Sequence, residues 1–220
     1  MIALDFSAIV VGCIASDNEV RHLVLDRFIG FNKKFREEFG DIVVATDHPA
    51  GSWRKSEFPY YKAKRKELKA SAPFSWEFVE KMKNTLTEEL SEYLPYRVIS
   101  VEGAEADDVI GALVRISQTA NHDDNSLFEG GSSEPVMIVS RDKDFGALQR
   151  FSNVSQYDHI TNSRIRITDP SRHLCELIIR GDSGDGIPNV KSPVDAFVSG
   201  IRQKPITDKY LESILPDIKR

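Results

Sequence analysis

The chain has 220 residues, 40% of them hydrophobic and 29% charged, which suits one large soluble domain or one domain with a small appendage. Two cysteines without a CxxC pair argue against a disulfide framework or a zinc site and fit a reducing compartment, and no apolar run reaches the roughly 18–20 residues of a membrane span. The net charge of −5 argues weakly against a polyanionic partner, although the distribution of charge matters more than its sum.

The apolar run at residues 2–11, IALDFSAIVV, starts as a buried strand, and Asp5 falls near that strand's C-terminal end unless it merely caps a turn. No basic leader precedes it, so no signal peptide is expected. Residues 19–39 carry Val20, Leu23, Val24, Phe28, Phe31 and Phe35 on one helical stripe, with Gly40 as the stop. Residues 41–46, DIVVAT, read as a strand buried on both faces, and Asp47 follows it.

Residues 53–69 change character. Arg54, Lys55, Lys62, Lys64, Arg65, Lys66 and Lys69 stand against Glu57 and Glu67, seven basic residues to two acidic, a local charge of +5. Trp53, Phe58, Tyr60 and Tyr61 are interleaved with them. Basic side chains neutralise phosphates and aromatic faces stack on unpaired bases, so the stretch is a candidate nucleic-acid surface. A solvated loop with its aromatics packed on the body is the bland alternative.

Residues 75–93 form a helical pattern with Trp76, Val79, Leu86 and Leu90 inward, and residues 96–101 a third strand. The stretch VEGAEADDV then places Glu102, Glu105, Asp107 and Asp108 just ahead of an apolar helix expected over 106–120, on which Glu105 and Asp108 share a face. A polar, Gly/Ser-rich loop is expected over 121–134 and a fourth strand over 135–140, with Asp142 and Asp144 after it. Residues 154–157 and 164–167 read as a polar hairpin. Asp169 and Pro170 open a helix that runs to about Arg180 and stops at Gly181. The tight loop GDSGDGIP follows with Asp182 and Asp185, and two short helices are expected over 193–201 and 207–214.

Strands alternating with helices predict a mostly parallel α/β sheet, whose ligand sites gather at the carboxyl ends of the strands. Asp5, Asp47, the Glu105 group and the Asp142 pair all arrive at such ends. One such cluster alone reads as a helix cap or a solvated turn. Several together repel one another and are tolerable mainly when cations neutralise them. All-oxygen ligation suits magnesium or manganese, and two such ions about 4 Å apart suit phosphodiester hydrolysis. No Walker loop, GxSxG or HExxH competes, and the five histidines lack ligand spacing; His48, beside Asp47, reads as a surface residue.

The stretches LDFS, WRKSEFPYYKAKR, EADD, SRDKDF and GDSGDGIP, in this order, resemble the flap endonuclease and 5′→3′ exonuclease family, and most closely its T-even phage ribonuclease H branch. The resemblance implies a PIN-like nuclease domain over residues 1–168, with a helical arch inserted at about 49–74, and a short helical C-terminal region over 169–220. It implies a two-metal, Mg²⁺-dependent nuclease, with Mn²⁺ as a substitute, that leaves 5′-phosphates. Glu105, Asp107, Asp142 and Asp144 match first-site ligands with Asp5 and Asp47 close by, Asp182 and Asp185 match the second-site pair, and Asp108 matches an acidic catalytic position. Lys62 and Arg65 match residues at the scissile phosphate, while Arg54, Lys55, Tyr61, Lys64 and Lys66 belong to the nucleic-acid-binding stretch.

Flap or nicked DNA and RNA–DNA duplexes are the implied substrates, a single-strand-binding protein or a polymerase the candidate partners, and the cytoplasm of a bacterial or phage-infected cell the implied location. Two departures stand out. Gly186 replaces the family's usual Asn, and residues 189–193 lack its glycine-rich helix–turn–helix; the chain also stops at Arg220, before a full C-terminal domain. A PIN-type single-strand ribonuclease without a long arch and an inactive binding module are the alternatives.

Overall fold

The computed structural model describes residues 1–14, 19–119 and 134–218, apart from the side chains of 66–68 and 216–218. The Gly/Ser-rich loop expected over 121–134 therefore lies, except for Glu134, outside the described residues.

The described residues divide into two compact units, Met1–Gly51 with Phe74–Arg166, and Ser52–Pro73 with Ile167–Arg220. The first is built on a six-stranded sheet of order β3-β2-β1-β4-β5-β6. Its strands are β1 (Ile2–Asp5), β2 (Ile42–Thr46), β3 (Arg97–Ser100), β4 (Val136–Val139), β5 (Val154–Asp158) and β6 (Ser163–Ile165). All pairings are parallel except β5 with β6, which form the expected hairpin. In β1, Ile2 and Leu4 face one layer and Ala3 the other, as the two-residue period of a strand requires.

On the first face pack α1 (Phe6–Ile14), α2 (Val20–Phe39) and α5 (Trp76–Glu92). There Phe28, Phe31, Phe35, Leu86 and Leu90 bury against Leu4, Val44, Met137 and Val139. On the other face lies α6 (Ala106–Thr119), whose Val109, Ile110 and Val114 meet Ala3, Ala45 and Ile138. A parallel strand covered on both faces has no wet side, so β1 and β4 are buried at every residue.

The second unit contains α3 (Arg54–Glu57), α4 (Arg65–Ala70), α7 (Pro170–Arg180) and α8 (Asp208–Ile218). Cys175 and Ile179 of α7 pack on Leu211 and Leu215 of α8. Asp169 accepts the Arg172 N–H at 2.8 Å with Pro170 behind it, the cap read from the sequence.

The apolar run at residues 2–11 starts as the expected strand, which Asp5 closes; α1 begins at the next residue, a helix the mixed pattern of the run hides. One expectation needs correction. Residues 193–201 are a chain of turns, not a helix, and Gly200 at φ +67° breaks any helical continuation. The last helix runs from Asp208 to Ile218, longer than expected.

Candidate active site

The central strands β2, β1 and β4 are adjacent and parallel, so their C-terminal ends lie on one edge of the sheet. Asp5 closes β1, Asp47 follows β2, and Ser140, Asp142 and Asp144 follow β4. Asp5 is 8% exposed, and its carboxylate accepts the Ala8 N–H at 3.2 Å and the Ser140 hydroxyl at 3.0 Å. It thus both ends the strand and caps the turn into α1. Burial pushes Asp5 up to about 6; the two hydrogen bonds oppose this, and the charges of Asp47 and Asp142 add to it.

Asp47 joins three elements. Its Oδ1 accepts the Ala106 N–H at 3.0 Å at the start of α6, and its Oδ2 accepts the Ser7 hydroxyl at 2.7 Å. Lys83 Nζ, on α5, stands 3.8 Å from Oδ2. Neither Ser7, Ser140 nor Lys83 was singled out from the sequence. An isolated serine or lysine on an element carries no spacing signal, and only the strand order together with the packing of α1 and α5 on the sheet brings these three to the carboxylates.

Glu105, Asp107 and Asp108 are half-buried at the start of α6. The Asp108 carboxylate accepts the Glu105 N–H at 3.0 Å, one half of a capping box, so Asp108 has a backbone role whatever else it does. The helix has already begun at Ala106, which sets Asp107 on a different side of it from Asp108. Asp142 and Asp144 are exposed, and Asp142 caps the 3₁₀ helix Lys143–Arg150 by accepting the Asp144 N–H at 2.9 Å. Gln156 fixes this corner by donating to the carbonyls of Ser140 and Asp142 at 3.0 and 2.6 Å. His48 accepts the Ala50 N–H at 3.2 Å, a local turn contact.

The donor types at this edge are those that suit a hard cation. They are carboxylate and hydroxyl oxygens, and a carboxyl raised by burial, with like-charged neighbours adding to it, gains from a cation. Among the described residues, however, no three of His, Cys, Asp and Glu stand close enough to form a ready-made ligand set. Asp5, Asp47, Asp108 and Asp142 are held instead by the backbone and hydroxyl groups just described.

The second unit carries the other sequence-predicted residues. Asp182 Oδ1 accepts the N–H groups of Gly184 and Asp185 at 2.7 and 3.1 Å, which winds the GDSGDGIP loop on itself. Asp185 accepts from Arg65 Nη2 at 2.8 Å and the Tyr61 hydroxyl at 3.1 Å, with Lys62 Nζ at 3.9 Å. The Lys62 N–H also donates to the Asp185 carbonyl at 2.8 Å, and Lys62 itself sits at φ +55°, a strained conformation for a non-glycine residue.

Gly186 explains one departure from the family pattern. It sits at φ +73°, and a Cβ there would meet the Tyr60 carbonyl oxygen at 3.0 Å. Arg54 lies over the Trp53 ring at 5.0 Å, Lys64 lies 6.0 Å from the Phe197 ring, and Lys55 is exposed on α3. Lys66 lies within α4, but its side chain is outside those described. Residues 49–74, where a helical arch is expected, contain two short helices, α3 and α4, joined by turns.

Comparison with known proteins follows the same lines. The family model for the 5′-3′ exonuclease, N-terminal resolvase-like domain matches residues 15–174. Ribonuclease H of Enterobacteria phage T4 is 29% identical over 206 residues, covering 90% of this chain and 63% of that protein. Flap endonuclease Xni of a Shewanella species (strain ANA-3) is 30% identical over 161 residues, covering 68% of this chain and 52% of that protein. The chain therefore spans between about half and two thirds of the length of these relatives. Among solved structures, the bacteriophage T5 flap endonuclease, in a pseudo-enzyme–product complex with DNA and metal ions, superposes with a TM-score of 0.66 at 16% identity, over 99% of this chain and 84% of that one. The T5 5′-exonuclease with zinc bound gives 0.63 at 16% identity, over 100% and 85%. At these identities the structural likeness establishes the fold: a mostly parallel sheet flanked by helices.

Proposed function

The chain belongs to the 5′-3′ exonuclease family, and from that premise we propose that it is a metal-dependent, structure-specific 5′ nuclease that hydrolyses phosphodiesters at 5′ flaps and RNA primers and leaves 5′-phosphates. The observation that carries this reading is the placement of Asp5, Asp47 and Asp142 at the carboxyl ends of three adjacent parallel strands, with Asp5 raised chiefly by its burial and further by the charges of Asp47 and Asp142. Magnesium, with manganese as a substitute, is the proposed cofactor in two sites. Glu105, Asp107, Asp142 and Asp144, with Asp5 and Asp47 close by, would hold one ion, and Asp182 with Asp185 the other. When bound, such ions lower the pKa of a water and offset charge on the leaving oxygen.

The protein's own groups do the remaining work. Ser140 and Ser7 orient the carboxylates of Asp5 and Asp47, and Asp108 fixes the start of α6 and so the position of Glu105. Lys62 and Arg65 are assigned to substrate phosphate. In the free protein Arg65 and Lys62 pair with Asp185, so an incoming phosphate exchanges one anion for another and leaves no cation unpaired. Arg54, Lys55, Tyr61, Lys64 and Lys66 are assigned to the nucleic-acid backbone and bases. Flap or nicked DNA and RNA–DNA duplexes are the proposed substrates, with a polymerase or single-strand-binding protein as partner in a bacterial or phage-infected cytoplasm. Among the described residues no helix is long and apolar enough to cross a membrane.

The test is cleavage of a 5′-labelled flap duplex, a matched blunt duplex and a single-stranded RNA, with and without magnesium. Magnesium-dependent cutting near the flap junction is expected. Cutting of the RNA alone would replace this reading by a single-strand ribonuclease, and binding without cutting by an inactive module.

A further inference from the structure

The second unit contains a cavity of about 540 Å³, within the size range of small-molecule sites. It is lined by Trp53, Arg54 and Tyr61 from one stretch of the chain and by Pro188, Val190 and Val194 from another. The feature is unlike a core void. Trp53 is 52% exposed, and Val190 and Val194 are exposed as well, so large apolar side chains line an accessible hollow. The Asn189 and Ser192 side chains that line it are already occupied. Asn189 donates through Nδ2 to the Lys204 carbonyl and accepts through Oδ1 from the Lys191 N–H and the Ser192 hydroxyl. Ser192 Oγ in turn accepts the Lys204 N–H. What remains for a ligand is an aromatic and aliphatic slot, with Arg54 and Glu57 among its lining residues.

We propose that this cavity seats one unpaired nucleobase of a single strand, stacked against Trp53 and covered by the Pro188–Val194 stretch. The reading rests on the nuclease assignment above for its substrate class and adds to it a specific subsite. Three observations favour a base over other apolar groups. The slot belongs to the stretch whose seven basic residues against two acidic make it the cationic part of an acidic chain, so an occupant carrying phosphates is attracted. Arg54 lies 5.0 Å from the Trp53 ring and 5.9 Å from the Tyr61 ring, a cation–π arrangement that a flat ring extends. The Tyr61 hydroxyl, on the same ring that lines the slot, donates to Asp185 at 3.1 Å, which ties the seat to the Lys62–Arg65 pair assigned to phosphate. Since every base has a face that can stack on an aromatic ring, the seat would take all four bases with little preference.

The test uses the full chain with Trp76→Phe, which leaves Trp53 as the sole tryptophan of the two. It is titrated in EDTA with a single-stranded oligothymidylate and with an abasic strand of the same length and phosphate number. Base-dependent quenching of Trp53 is expected, with none from the abasic strand. In the otherwise wild-type chain, Trp53→Ala should weaken binding of the base-bearing strand by about tenfold while changing abasic binding less than about twofold, and Trp53→Phe should restore most of the loss. Equal quenching by both strands, binding without quenching, or no binding would each overturn the seat. Flap cleavage in magnesium by the same Trp76→Phe protein separates the two readings. Cleavage without base-dependent quenching removes the seat and keeps the nuclease; quenching without cleavage keeps the seat and removes the nuclease.

Discussion

Lys83 Nζ stands 3.8 Å from Asp47 Oδ2, and its side chain is only 14% exposed. It places a fixed positive charge beside a group of carboxylates proposed to need metal. The pair is partly open to solvent, where such contacts contribute up to about 1 kcal/mol. Lys83→Met should therefore let magnesium bind more easily, lowering the concentration for half-maximal cleavage by up to about fivefold. A magnesium titration of cleavage reads this directly. A higher magnesium requirement would place Lys83 on the substrate instead of on Asp47.

Asp142→Asn separates charge from structure. Asp142 Oδ1 caps the 3₁₀ helix by accepting the Asp144 N–H, and an amide oxygen accepts that bond equally well. The fold should survive with a change in unfolding free energy below about 1 kcal/mol, while cleavage falls by at least about 100-fold because one negative charge leaves the metal site. Circular dichroism and single-turnover cleavage together check both halves. Retained cleavage would take Asp142 out of the ligand set.

The sheet was legible in the sequence because DIVVAT and PVMIVS are continuous apolar runs, which only strands covered on both faces can bury. The helix Val20–Phe39 was legible from its phenylalanine stripe. The helix Phe6–Ile14 was not, because an apolar run entering a buried helix directly from a strand has no turn residue to mark the switch. The candidate carboxylates were visible as clusters at strand ends. Their partners Ser7, Ser140 and Lys83 were not, since contacts across 40, 135 and 36 positions of chain follow from strand order and helix packing rather than from local pattern. The pairing of Asp185 with Tyr61 and Arg65, 124 and 120 positions away, was hidden for the same reason.

Gly186 lies where the family resemblance expects Asn, and its geometry gives a graded series. At φ +73° an alanine pays about 1–2 kcal/mol for the left-handed backbone, and its Cβ meets the Tyr60 oxygen at 3.0 Å. Gly186→Ala should lower stability by at least about 1 kcal/mol, and Gly186→Asn by less, because Asn tolerates that backbone better. Chemical denaturation ranks the three proteins. Equal stability across the series would mean that the Tyr60 segment moves aside without penalty.

His159 supplies a pH dependence of stability outside the candidate site. It is 1% exposed, and neither ring nitrogen makes a hydrogen bond of ordinary geometry. The Ala8 carbonyl is near enough to favour the charged ring without closing such a bond. Burial lowers His159 below its ordinary value of 6.5, and the Arg27 charge adds to this; Asp158 opposes it and Arg141 reinforces it. The folded ring is therefore neutral where the unfolded one begins to take a proton. Above pH 6.5 the residue makes no difference to the pH profile. As pH falls below 6.5 the unfolded chain binds a proton that the folded chain refuses, and stability declines until the depressed folded value is passed. Arg27 is anchored by donating to the His159 carbonyl at 2.8 Å, a bond that a substitution of the imidazole leaves in place. His159→Gln, which does not titrate, should show a shallower loss of unfolding free energy between about pH 6.5 and 5 than the wild-type protein. Denaturant unfolding at several pH values checks this, and parallel profiles for the two proteins would mean that the buried ring accepts its proton as readily as the unfolded one.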